Sequence, residues 1–171
     1  MKHAITEMPL EELHRQFAYD AGTGHLIRKV SCGSGMAGTV AGNVNKRGYR
    51  KVLVRRQTLF AHRIVWALVR GNPVPPIIDH INLNPDDNRV ENLRAATASQ
   101  NVANQKKRSG CLSVFKGVSW NRSCRKWQSL IKVDGKQKYL GLFENEAAAA
   151  TAYASAASDA HGEFARTKVA A

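Results

Sequence analysis

Cysteine is scarce in this 171-residue sequence: Cys32, Cys111 and Cys124 are odd in number and form no CxxC pair. Neither a disulfide framework nor a structural zinc site is expected from them. Also missing is any run of eighteen apolar residues, which excludes a spanning helix. The opening stretch, Met1-Lys2-His3-Ala4-Ile5-Thr6-Glu7, has no apolar segment of the kind a secretory leader needs. Acidic residues are the third shortage. Asp+Glu number 13 against Lys+Arg 26, which gives a formal net charge of +13 and a pI near 10.1. The expectation is a soluble cytoplasmic protein without a membrane partner, drawn to a polyanion, most often nucleic acid. With 43% hydrophobic residues there is enough apolar side chain for a modest core in one or two small domains.

The charge divides as +9 over residues 1–108 and +4 over residues 109–171. Between them Gln105-Lys106-Lys107-Arg108-Ser109-Gly110 is polar and basic, and reads as a connector that could also touch phosphates. The expected organisation is a β-rich segment (1–58), a second segment (59–108), a linker (109–114) and a C-terminal domain (115–166). In the first segment, Pro9-Leu10-Glu11-Glu12-Leu13 with Phe17 has helical spacing, and Tyr19–Ile27 reads as strand, glycine turn, strand. Lys51–Arg55 predicts a strand and Ala61–Val69 a short buried helix, ended by Gly71-Asn72-Pro73. Arg47, Arg50, Arg55 and Arg56 could line a DNA groove or simply be a solvated face.

Candidate chemistry is concentrated further on. Ile77-Ile78-Asp79-His80-Ile81 predicts a short strand that carries two metal-competent side chains. Asn82–Arg89 is a loop full of residues whose side chains bond nearby backbone, and Val90-Glu91-Asn92-Leu93-Arg94 reads as the return strand. Thr97-Ala98-Ser99-Gln100 has capping-box spacing, so a helix starts there, with Asn101 and Asn104 on one face. Histidine, with an ordinary pKa near 6.5, suits the base that deprotonates water. A carboxylate and an amide oxygen are hard ligands suited to Mg²⁺. Neighbouring strand residues point to opposite faces, so Asp79 and His80 serve one site only if the strand end is irregular. His62 reads as a structural histidine, and Asp86 and Asp87 as turn formers.

The set His62-Arg63-Ile64-Val65-Trp66, Asp79-His80-Ile81-Asn82, Asp87–Arg94 and Gln100–Asn104 resembles the HNH homing endonucleases of phages and mobile introns. That resemblance implies an α+β chain containing the ββα-metal (His-Me finger) nuclease fold, and cytoplasmic action in the host cell if phage-encoded. It implies His80 as general base and Asn92 as the residue that bonds backbone near it and fixes the ring. Asp79 and Asn101 are implied as ligands of one divalent cation, Mg²⁺ or another such as Mn²⁺. The family often has histidine where this chain has Asn101. Arg94 is left between neutralising the scissile phosphate and fixing the fold.

The C-terminal part predicts strands at Phe115–Trp120, Lys126–Val133 and Lys138–Phe143, the last two joined by the hairpin signal Asp134-Gly135. A helix from Glu146 to Ala160 comes next, capped near Asn145 and stopped by Gly162. This is a three-stranded antiparallel sheet packed on one helix. Alternation puts Trp127, Ser129, Ile131 and Val133 toward the helix, and Gln128, Leu130 and Lys132, with Gln137 and Tyr139, on an open face. Lys116-Gly117-Val118, Lys126-Trp127, Tyr139–Phe143, Glu146-Ala147-Ala148 and Gly162–Ala165 are similar to the Apetala-two/ethylene-response-factor DNA-binding domain. The departures are Ser119, where plant members usually have arginine, and Leu130 on the DNA-facing side. Arg122, Arg125, Lys132 and Tyr139 are the candidate contacts. The whole then reads as a site-directed HNH DNA endonuclease acting on double-stranded DNA as a monomer. The alternatives are a non-catalytic sequence-specific DNA-binding regulator and an RNA-binding protein, the latter lacking the usual stacking motifs.

Overall fold

A computed structural model of the chain describes residues 9–33, 35–107 and 110–167. Its contacts divide it into two compact units, Met1–Ala95 and Ala96–Ala171.

The first unit begins with a helix α1 (Leu10–Gln16) whose Leu13 enters the core. Two antiparallel strands come after it, β1 (Phe17–Asp20) and β2 (His25–Arg28). The turn between them is held by the Asp20 carboxylate, which accepts from Gly22 N and Thr23 Oγ1. A small sheet β3 (Asn43–Val44), β4 (Arg50–Val54) and β5 (Gln57–Phe60) comes next, in that spatial order. In β4, Val52 and Val54 are buried and Leu53 is exposed, the alternation of a half-covered sheet. Helix α2 (Ala61–Arg70) lays Ile64, Val65, Trp66 and Ala67 against Leu26, Val52 and Leu59. It ends at Gly71 (φ 77), as the sequence predicts. Strand β6 (Ile78–His80) pairs antiparallel with β7 (Leu93–Ala95), Asp79 opposite Arg94 and His80 opposite Leu93.

The expected return strand is shorter than its alternation suggests: Val90–Asn92 is one 3-10 turn, and the strand begins at Leu93. Val90 N donates to the Tyr19 hydroxyl and Asn92 N turns back to Arg89 O, so neither amide is available to a ladder.

Helix α3 (Ala98–Asn104) opens the second unit with the capping box intact: Thr97 Oγ1 accepts from Gln100 N and the Gln100 side chain accepts from Thr97 N. Three carbonyls at its C-terminal end, Val102, Ala103 and Gln105, all accept from the Lys116 ammonium. Lys107 likewise reaches the Phe115 and Val118 carbonyls. These bonds group α3 with the C-terminal part of the chain, and the division between units falls earlier than the expected linker; Arg108 and Ser109 of that stretch lie outside the described residues. Strands β8 (Val118–Asn121), β9 (Lys126–Val133) and β10 (Lys136–Phe143) form an antiparallel sheet in the order β10-β9-β8. The first starts later than expected, because Phe115–Gly117 is a turn in which Val118 N donates to Phe115 O. Helix α4 (Glu146–His161) is capped by Asn145, whose Oδ1 accepts from Ala148 N. Ala149 and Ala150 pack on Val118 and Trp127, and Tyr153 and Ala157 on Ile131. Alanine on the buried side lets helix and sheet approach closely. Cys32, Cys111 and Cys124 are all free and exposed. Among the described residues no helix is long and apolar enough to cross a membrane.

Candidate active site

His80 is the last residue of β6, and the chain turns at once: Leu83 N donates to His80 O, and Leu83 has φ 64. The irregularity begins only after His80: Asp79 and His80 themselves stay in the β6–β7 register, opposite Arg94 and Leu93. His80 is 5% exposed and its ring stands edge-on to that of His62, centroids 5.1 Å apart. Tyr49 meets both rings, at 5.9 Å from His80 and 5.7 Å from His62, and Phe60 stacks on His62 at 5.5 Å. Burial disfavours imidazolium. It lowers the pKa of His80 below 6.5, against an opposing bond from Asn88, and with the nearby His80 and Arg63 it holds His62 at about 3. Both rings are neutral at pH 7, the state a general base needs.

Asn88 sets the tautomer. It is 1% exposed; its Nδ2 donates to Asp86 O (3.1 Å), so its Oδ1 is turned to His80 Nε2 at 3.2 Å. Oδ1 can only accept, so Nε2 carries the hydrogen and Nδ1 has the lone pair. Sequence spacing assigns Asn88 no role of its own. The signal that could have found it is a D-N-R triplet at the end of a turn-forming loop, eight residues after the histidine.

Asn92 occupies another place. Its Oδ1 accepts from Asn82 N (2.9 Å), its Nδ2 donates to Asp87 O (2.8 Å), and its carbonyl accepts from Ile81 N (2.9 Å). It ties down the backbone just after His80, and the ring itself is met by Asn88. Asp79, 4% exposed, is bonded by Arg94 Nε at 2.9 Å across the β6–β7 ladder. Arg94 thus sits in a buried ion pair. Asn101 is half-buried on α3 in the second unit, and Asn104 near it is buried. Among the described residues no group of three or more His, Cys, Asp or Glu could hold a metal.

The loop 81–89 is bonded throughout. Asn82 Oδ1 accepts from Asn84 N, Asn84 Oδ1 from Asp86 N, and Asp87 from Asn82 Nδ2 and from Arg89. The Arg89 bonds hold the Asp87 carboxyl down at about 2. Two elements of the first 58 residues clasp this loop. Arg50 makes a bidentate pair with Asp86, at 2.9 and 2.8 Å. Gly24 and Gly48 have positive φ, and a Cβ on either would strike the loop, at Arg89 N (2.5 Å) and Pro85 Cγ (2.7 Å). Arg50 was expected on a groove or a solvated face, and lies in this clasp instead.

In the second unit, Arg122 and Lys132 line one cavity of about 610 Å³ with Ser119, Trp120, Leu130 and Gln137. Arg125, in the β8–β9 turn (φ 51), and Tyr139, 55% exposed, lie outside that lining.

The family model described as HNH endonuclease matches residues 59–103. Protein 3.8 of Escherichia phage T7 is 33% identical over 107 residues, which cover 61% of this chain and 87% of that protein. No solved structure matches.

Proposed function

We propose, for a chain that belongs to the family of phage T7 Protein 3.8 and carries an HNH endonuclease domain, that it hydrolyses phosphodiester bonds of double-stranded DNA with His80 as general base. One observation supports this above the rest: a buried imidazole at a strand end, met at Nε2 by Asn88 and with its pKa lowered by burial. Water deprotonated at Nδ1 attacks the phosphorus, and the 3′ oxygen leaves on the far side. Asn88 fixes the ring, Asn92 fixes the backbone behind it, and His62 and Tyr49 form the wall that excludes bulk water from its edge.

The HNH relationship implies a divalent cation. Within the first unit the donor chemistry suits it: the Asp79 carboxylate is a hard donor, and Mg²⁺ takes few protein ligands and keeps its waters. Such an ion supplies charge neutralisation at the leaving oxygen. Arg94, which contacts Asp79, holds that carboxylate in one orientation.

The second unit, by its likeness to the Apetala-two/ethylene-response-factor domain, acts as a DNA tether through the face that bears Arg122 and Lys132. Linked binding raises the effective concentration of the nuclease at its site.

The test is supercoiled plasmid incubated with the chain and Mg²⁺. The expected result is nicked or linear product that EDTA abolishes, with His80→Ala slower by about 10²–10⁴-fold while gel-shift binding is kept. Full cleavage by the His80→Ala variant would remove the base from the mechanism, and binding without any cleavage by the wild-type chain would favour a regulator.

A further inference from the structure

The β3–β4 turn carries cations that the site above does not use. Lys46, Arg47 and Lys51 are exposed, and with Asn45, Tyr49 and Phe60 they line a cavity of about 360 Å³. No acidic side chain lines it, and among the described residues none of the three cations is in an ion pair. The turn is held in one shape: Asn45 Oδ1 accepts from Arg47 N (2.8 Å) and Tyr49 N (3.1 Å), and Asn45 N and Gly48 N each make a further backbone bond across it. Its floor is aromatic, with Tyr49 edge-on to Phe60 at 5.6 Å and the Lys51 ammonium 5.4 Å from the Phe60 ring. Tyr49 is shared: the ring that floors this cavity also meets His80.

Exposed cations on a held turn beside an aromatic floor match a nucleotide, whose phosphate takes the charge and whose base or sugar takes the ring. We infer that this cavity is a subsite for the nucleotide next to the scissile phosphate on the strand being cut. The inference rests on the nuclease reading and adds to it the place where the strand is gripped. The rigid turn supplies position: a strand seated here presents its neighbouring phosphate to His80, on the other side of Tyr49.

The experiment compares wild-type chain with the double variant Lys46→Ala/Arg47→Ala, both at exposed positions, with thermal melting to check folding. Expected are a KM for duplex DNA raised roughly tenfold with kcat within about twofold, and a log affinity against log salt slope shallower by about 0.9, for the one phosphate no longer neutralised. A duplex with neutral methylphosphonate next to the cut should bind wild type more weakly and cost the variant nothing further. A variant with unchanged KM and salt slope, or one still penalised by the methylphosphonate, would overturn the subsite while leaving the nuclease standing. A wild-type chain that cuts no DNA would overturn the nuclease reading and the subsite together.

Discussion

In the proposed mechanism Asn88 acts on the reaction only through the His80 ring. It meets His80 Nε2 at 3.2 Å and has its own orientation fixed by the Asp86 carbonyl. Asn88→Ala should lower kcat about tenfold, the worth of a buried hydrogen bond of about 1–2 kcal/mol, with little change in KM. Asn88→Asp should instead place a carboxylate against Nε2–H, raise the imidazole pKa, and move the acid limb of the rate profile to higher pH. In the wild-type chain burial lowers the His80 pKa, so the rate should hold its plateau as pH drops past 6.5 and fall only below it; initial nicking rates across pH check both. His62 makes a separate claim, on stability. Its folded ring resists protonation down to about 3 while the unfolded ring protonates near 6.5. Between these values the unfolded state binds more protons, so stability drops as pH falls through that window. Melting temperatures should decline from about 6.5 downward, and His62→Phe should flatten that decline. Nothing in sequence spacing revealed the His62–His80 contact, because it depends on α2 folding back against β6.

At the scale of elements, what was legible in the sequence was local. Thr97 with Gln100, Asn145 ahead of the alanine helix, and the Asp134-Gly135 turn each act within a few residues, and each is found as the sequence reads. Thr97→Ala should weaken α3 by about 1 kcal/mol, seen as faster amide exchange in Asn101–Asn104. What was not legible needed distant partners. Val90-Glu91-Asn92 alternates like a strand but is a 3-10 turn because Tyr19, 71 residues away in sequence, takes the Val90 amide. Arg50 and Asp86 are 36 residues apart, and neither sequence context marks the other. A second acid-sensitive element is α1. Glu12 accepts from Arg15 and Gln16 and pairs with Arg55, and its carboxyl is held at about 2. Its contribution is complete above the ordinary value of 4.5 and fades as pH falls toward 2. Amide exchange in Leu10–Gln16 should quicken over that range, and Glu12→Gln should remove the dependence.

For the molecule as a whole, the net charge of +13 is spent unevenly. Arg50, Arg89 and Arg94 are paired with Asp86, Asp87 and Asp79 around the loop that holds His80. The cations left to meet DNA are therefore those on turns and open faces, and binding should weaken steeply with salt. The same clasp has a bearing on portability. Residues 59–103, which carry the family signature, are divided between two compact units, and the loop that holds His80 leans on Tyr19, Gly24, Gly48 and Arg50 from outside that span. The signature marks a chemistry and is not a cassette. Grafted onto another protein without the two hairpins before it, the motif would arrive with its residues in order and its histidine unheld.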